Sequence, residues 1–154
     1  MNPPILAQFM VILATHFVAD FILQTHWQAS NKSHNNMALL EHVAVYTICL
    51  GIVTGFMFHF SALWFSFVWI NAVLHFCTDY MTSRLTSKLF ARAMEGTDYV
   101  RRHTKIYGSP PSQDDLRAWG IDPGTNFHNF FVVIGFDQLI HQATLAVTLW
   151  MILP

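Results

Sequence analysis

The sequence predicts an all-α membrane protein, a bundle of four transmembrane helices. Of its 154 residues 53% are hydrophobic and only 11% charged, outside the range of an ordinary soluble domain. Four stretches, Ile5 to Leu23, Leu39 to Phe60, Ala62 to Tyr80 and Phe127 to Leu153, approach the roughly 20 mainly apolar residues a spanning helix requires. All 8 Lys and Arg fall in the two links that share one side of such a bundle, the pattern of cytoplasmic loops.

The first span follows Met-Asn-Pro-Pro, which has no positive n-region, so it reads as a retained helix and not a cleaved signal. A polar link, Gln24 to Ala38, carries Lys32 to the second span. Only the turn around His59, Phe60 and Ser61 separates the second span from the third, which makes them a helical hairpin. From Met81 to Asn126 the chain is polar, charged and broken by Pro and Gly, and it reads as one long cytoplasmic loop in a single membrane domain. Its first part, Met81 to Arg92, looks helical and continuous with the third span. After the Ser109-Pro110-Pro111-Ser112 break, Ser112 and Asp115 give a capping-type start to a short helix. Arg84, Lys88, Arg92, Arg101, Arg102, Lys105 and Arg117 lie in this segment, so four spans put both termini on the external side. A three-span arrangement, its first segment lying on the surface, would separate Lys32 from the other cations. Cys49 and Cys77 sit in apolar runs and read as buried thiols. A net charge of −1 excludes a basic field for nucleic acid, and Trp27, Trp64, Trp69, Trp119 and Trp150 suit an aromatic belt.

Titratable side chains inside spanning helices are costly, and each requires a reason. The first span holds His16 and Asp20, the second opens with Glu41 and His42, the third holds His75 and Asp79, and the fourth Asp137 and His141. Three of these pairs are spaced i, i+4, which puts both side chains on one face. The first and third spans run toward the cytoplasm and read His then Asp; the fourth runs away from it and reads Asp then His. The expectation is a layer of Asp20, Asp79 and Asp137 near the cytoplasm and a layer of His16, His75 and His141 about 6 Å deeper. The repeat of His16-Phe-Val-Ala-Asp20-Phe21 in His75-Phe-Cys-Thr-Asp79-Tyr80 suggests two helix pairs related by an axis along the membrane normal.

Facing carboxylates and imidazoles are how four-helix bundles build metal centres, including two-metal ones. Carboxylates sharing a layer repel unless protonated or bound to a cation. The expected ligands are therefore His16, Asp20, His42, His75, Asp79, Asp137 and His141, a mixed set suited to Zn, Mn or Fe, as one ion or two. A metal with an open coordination position activates water, so the reaction class is metal-assisted hydrolysis. Glu41 is the expected general base. Gln24, one turn beyond Asp20 by helical spacing, joins it in the catalytic set as a support for a ligand, and Gln138 adjoins Asp137 in the same role. For any single residue the competing reading is hydrogen-bonded glue between helices. His26, His34, His59, His103 and His128 fall at helix ends or in loops and are expected to be solvated.

The run His16-Phe-Val-Ala-Asp20-Phe-Ile-Leu-Gln24-Thr, then Lys32, Leu39-Leu40-Glu41-His42 and Tyr46, resembles a family of small bacterial and phage membrane proteins classed as a domain of unknown function. His75 with Asp79, and Phe136-Asp137-Gln138 with His141, complete the resemblance over essentially the whole chain. It implies a multi-pass protein of the bacterial inner membrane, with His16, Asp20, Gln24, His42, His75, Asp79, Asp137 and His141 as site residues, and brings no activity with it. By analogy the arrangement also looks like inner-membrane metal-dependent hydrolases. The function expected is hydrolysis of a lipid-like substrate at the inner leaflet, with Arg84 and Lys88 as holders of a phosphate. Two rivals come from other classes. One is a proton or ion pathway, disfavoured by an outer half with few polar side chains beyond Thr54, Thr144 and Thr148. The other is a phage or host accessory protein that binds another membrane protein, or its own copy, through the long loop.

Overall fold

The computed structural model describes residues 5–118, 120 and 123–152; the expectations for residues 1–4, Trp119 and Leu153 lie outside them. The described residues are helical, with no strand among them. Helix α1 spans Ile5–Phe17 and continues as a π-helical turn, Val18–Ile22; it is followed by α2 (His26–Asn31), α3 (Asn36–Phe58), α4 (Ala62–Tyr107), α5 (Gln113–Ala118) and α6 (Pro123–Ile152). Among the described residues three segments are long and apolar enough to cross a membrane: Ile5–Ile22, Asn36–Phe58 and Phe127–Ile152. The other expected span is the first part of α4, whose apolar run is diluted by Asn71, His75 and Asp79.

The segment expected as a long loop is mostly helix. Between Met81 and Tyr107 the chain has no proline and is rich in Ala, Leu, Met, Arg and Lys, so nothing breaks α4 before its 46th residue. Gly108 ends it, at φ 76°, with its N–H returned to the Thr104 carbonyl at 2.9 Å. The chain forms two compact units, residues 1–81 with 137–154, and residues 82–136. In the second unit Phe90 packs on Phe127 and Phe130. The expected cap is present there: Ser112 Oγ donates to Asp115 Oδ2 at 2.7 Å and accepts the Asp115 N–H at 3.1 Å, which holds the Asp115 carboxyl below its usual range.

The first unit is apolar outside and polar within. Ile48, Ile52 and Phe56 of α3, Phe65, Trp69 and Val73 of α4, and Leu139, Trp150 and Met151 of α6 face outward. Its interior has an apolar layer, Ile12, Leu50, Phe67, Val68, Leu145 and Leu149. Beside these, His16, Asp20, His42, Asn71, His75, Asp79, His141 and Thr148 are also buried. A soluble domain has the reverse arrangement, and this one is consistent with a chain that spans a membrane. Cys49 is partly buried, but Cys77 is exposed, contrary to the expectation for both thiols. Two residues past inward-facing His75, it lies about 200° around the helix, on the outer face.

Two devices hold the hairpin and its neighbour. α3 ends in consecutive left-handed residues, His59 (φ 55°) and Phe60 (φ 51°), whose N–H groups both return to the Gly55 carbonyl. The Phe60 ring occupies the space a Cβ at position 55 would need, and Trp64 Nε1 donates to the Gly51 carbonyl at 3.0 Å. Between α4 and α6, buried Asn71 Nδ2 donates to Thr148 Oγ1 at 2.9 Å and to the Phe67 carbonyl at 2.8 Å.

Left-handed backbone is strained for a residue with a Cβ, so His59→Gly should stabilise the detergent-solubilised protein by about 0.5–1 kcal/mol in thermal unfolding. Gly55→Ala should destabilise it by displacing the Phe60 ring. A double-mutant cycle of Asn71→Leu and Thr148→Val should give a coupling of about 0.6–1.7 kcal/mol, the range of interhelical hydrogen bonds in a bilayer; additive effects would remove the clamp.

Candidate metal centre

Each long helix of the first unit sends titratable side chains to one point. α1 and its π-helical turn bring His16 and Asp20, α3 brings His42, α4 brings His75 and Asp79, and α6 brings Asp137 and His141. The π-helical turn, marked by Leu23 N–H bonded to the Val18 carbonyl at 2.9 Å, places an extra residue in the turn that carries Asp20. The helix stops there. Gln24 is therefore not the next residue of a helical face, as spacing predicts; its Nε2 is buried without a hydrogen-bond partner. Thr25 instead starts α2 by a reciprocal cap, accepting the Gln28 N–H at 3.2 Å while Gln28 Oε1 accepts the Thr25 N–H at 2.9 Å.

Four ligand-type atoms surround a common centre. His42 Nε2 lies 2.9 Å from Asp20 Oδ1, 3.2 Å from Asp79 Oδ2 and 3.3 Å from His75 Nε2. His75 Nε2 lies 3.3 Å from Asp20 Oδ1 and 3.9 Å from Asp79 Oδ2. Oxygen and nitrogen ligands held at about 2.0–2.1 Å around a tetrahedral ion stand about 3.3–3.4 Å apart, so these separations are close to the edges of a coordination tetrahedron. Hydrogen bonding accounts for them less well. The contact between the two Nε2 atoms is a hydrogen bond only when one ring carries a proton there and the other does not, and Asp20 Oδ1, despite its short distances, has no hydrogen-bond partner. The residues fit a metal ion: this buried His/Asp cluster can hold one.

Asp79 extends the cluster through its other oxygen, with His141 Nε2 3.5 Å from Asp79 Oδ1. Ligand-type atoms of His16, His75 and His141 lie within 4.8 Å of one another, as do those of Asp79, Asp137 and His141. Shared members join the three groups into one cluster, and the Nε2 atoms of His16 and His141 have no hydrogen-bond partner. The expected separation into an Asp layer and a His layer is not seen, because Asp20 and Asp79 reach the histidines of neighbouring helices directly. Asp137 is the most exposed of the set, at 14%, its Oδ2 3.6 Å from His141 Nδ1.

Glu41 is not brought to this cluster. It is exposed on α3 while His42, one residue and about 100° further on, is fully buried. Gln138 does serve it, donating from Nε2 to Asp20 Oδ2 at 3.2 Å and to Asp137 Oδ2 at 3.1 Å. Three contributors were not singled out by the sequence reading of the site. Tyr46, buried on α3 one turn past His42, stacks on the His75 ring with centroids 4.0 Å apart and planes 10° from parallel. Asn71 sits one turn before His75, so the i, i+4 spacing that linked His75 to Asp79 extends to it. Lys32, at the C-cap of α2, donates from Nζ to Asp79 Oδ2 at 2.9 Å and lies 3.5 Å from His42 Nε2. No spacing rule connects it to the cluster. No protein family, curated protein or solved structure matches the chain, so the reading of the centre rests on its own geometry.

Proposed function

We propose that this is a four-span protein of the bacterial inner membrane that holds a divalent transition metal, Zn, Mn or Fe, on Asp20, His42, His75 and Asp79, and hydrolyses a lipid-like substrate there. One observation carries the reading: two imidazole nitrogens, from α3 and α4, lie 2.9–3.9 Å from two carboxylate oxygens, from the π-helical turn after α1 and from α4, buried, beneath an apolar surface. When bound, such an ion would polarise the scissile group and, by expanding from four ligands to five, would lower the pKa of a water. Asp20 and Asp79 neutralise the ion's charge. Tyr46 fixes the plane of the His75 ring by stacking, and Gln138 fixes Asp20 through its second oxygen. His141, 3.5 Å from Asp79 Oδ1 with Asp137 behind it, takes the proton-handling role expected of Glu41. In a two-ion centre, His141, His16 and Asp79 would be ligands instead.

The rival proton pathway has an observation of its own, since Asn71 and Thr148 continue the polar face of Asp79 and His75 by another turn. That face ends at Phe67, in the buried layer with Leu50, Leu145 and Leu149.

Elemental analysis of protein purified without chelators should find one or two transition-metal ions per chain, lost in Asp79→Asn and His75→Ala. Glu41→Gln should retain them. Phospholipid and isoprenoid-phosphate substrates in mixed micelles should give a chelator-sensitive product, and His141→Gln should lower its rate by about 10²- to 10⁴-fold, the range of a general base. A folded wild type without metal and without product would favour an accessory protein that acts by binding. For topology, single cysteines placed at Ser109 and near the C-terminus, after replacement of Cys49 and Cys77, should label from opposite faces of spheroplasts; labelling from one face would exclude four spans.

A further inference from the structure

We infer that Lys32 is the residue that receives the anionic group of the centre's ligand, and that this group is a phosphate. The inference rests on the metal-centre reading above and adds the ligand's chemical class. Lys32 is the only Lys or Arg in the compact unit that holds the cluster. Its ammonium touches a ligand oxygen, Asp79 Oδ2, at 2.9 Å, so a group taken up by the ion as a fifth ligand on that side would lie within its reach. An ammonium has three N–H donors. One is taken by Asp79, and the contact with His42 Nε2 is long, at 3.5 Å, which leaves donor capacity for a ligand.

Access and charge agree with this role. The Lys32 side chain is 20% exposed, whereas His42, Asp20, His75 and Asp79 are at most 4% exposed, so Lys32 marks the side from which the cluster can be reached. It stands at the end of the short helix α2, in the link between two apolar helices, and Trp27 of that helix is exposed. An exposed tryptophan in such a link belongs at the membrane interface, the level of lipid phosphates. A divalent ion balances the charges of Asp20 and Asp79, leaving the lysine's positive charge for the ligand. The third carboxylate, Asp137, lies with His141 on the Oδ1 side of Asp79, whereas Lys32 is on the Oδ2 side.

The test uses the full-length protein in a phosphate-free maltoside detergent, loaded with Co²⁺, whose visible spectrum reports on its ligands. Inorganic phosphate, micelles of lysophosphatidic acid and micelles of neutral monoacylglycerol are titrated separately. The two phosphates should perturb the wild-type spectrum and the neutral lipid should not. Lys32→Met and Lys32→Gln should retain Co²⁺ and its spectrum but lose about 10- to 100-fold in phosphate affinity, the size of a hydrogen bond to a charged group. Lys32→Arg should restore most of it, and Lys88→Met should be unchanged. A response to lysophosphatidic acid alone identifies the source as a lipid phosphate; a response to inorganic phosphate alone identifies free phosphate; Lys32 dependence in either supports the assignment. Equal phosphate affinity in wild type and Lys32→Met overturns it and leaves the metal centre standing. Loss of Co²⁺ in both neutral variants also overturns it, making Lys32 a structural support of Asp79. A wild type that takes up no Co²⁺ removes both readings.

Discussion

Two carboxylates, Asp20 and Asp79, are buried between helices whose outer faces are apolar, and the first compact unit is organised around compensating them. A charge moved from water into such an interior carries an effective penalty of several kcal/mol even after relaxation. The penalty persists unless opposite charge and hydrogen bonds are supplied in place. His42 and His75 converge on both carboxylates, Gln138 donates to the second oxygen of Asp20, and Lys32 donates to Asp79. These partners come from α2, α3, α4 and α6, so satisfying the carboxylates and packing the helices are one requirement.

The backbone is adapted to that requirement at its breaks. The π-helical turn carries Asp20 and ends the first helix, which frees the chain to start α2 at Thr25 and bring Lys32 back over the cluster. The left-handed turn at His59 and Phe60 returns α4 along α3 without a loop, so that His75 arrives beside His42 and Tyr46. Here backbone strain of about 1–2 kcal/mol per left-handed residue is offset by packing of Phe60 and Trp64 against the small face at Gly51 and Gly55. On the far side of the cluster, the Asn71 to Thr148 pair and the apolar layer around Phe67 close the interior.

The asymmetry of Asp79 gives the cluster its two sides. Its Oδ2 faces His42 and Lys32, and its Oδ1 faces His141 and, beyond it, Asp137. A centre on the first side has a cation at its approach; the second side offers an imidazole with a carboxylate behind it. On the proposed hydrolytic reading, this division would separate ligand capture from proton handling, the two tasks that metal-assisted hydrolysis imposes on the surrounding protein.

The helical class, the apolar runs, the sharp turn at His59 and most of the inward-facing titratable residues are legible in the sequence, because helical periodicity and the cost of burying charge are local or nearly local constraints. The i, i+4 pairs His16 with Asp20, His75 with Asp79 and Asp137 with His141 were legible for that reason, and Asn71 was legible by the same spacing. Glu41 was misplaced because adjacency in sequence is about 100° of rotation on a helix, and Gln24 because the π-helical turn and the helix end after Ile22 cancel the assumed register. The extent of α4 was missed because polar sequence was equated with loop, although nothing between Met81 and Tyr107 breaks a helix. That the carboxylates and imidazoles interleave in place of forming layers, that Tyr46 stacks on His75, and that Lys32 rests on Asp79 are outcomes of the tertiary packing. Those contacts join residues as far apart in the chain as Asp79 and His141, and packing between helices, which no periodicity encodes, is what sets them.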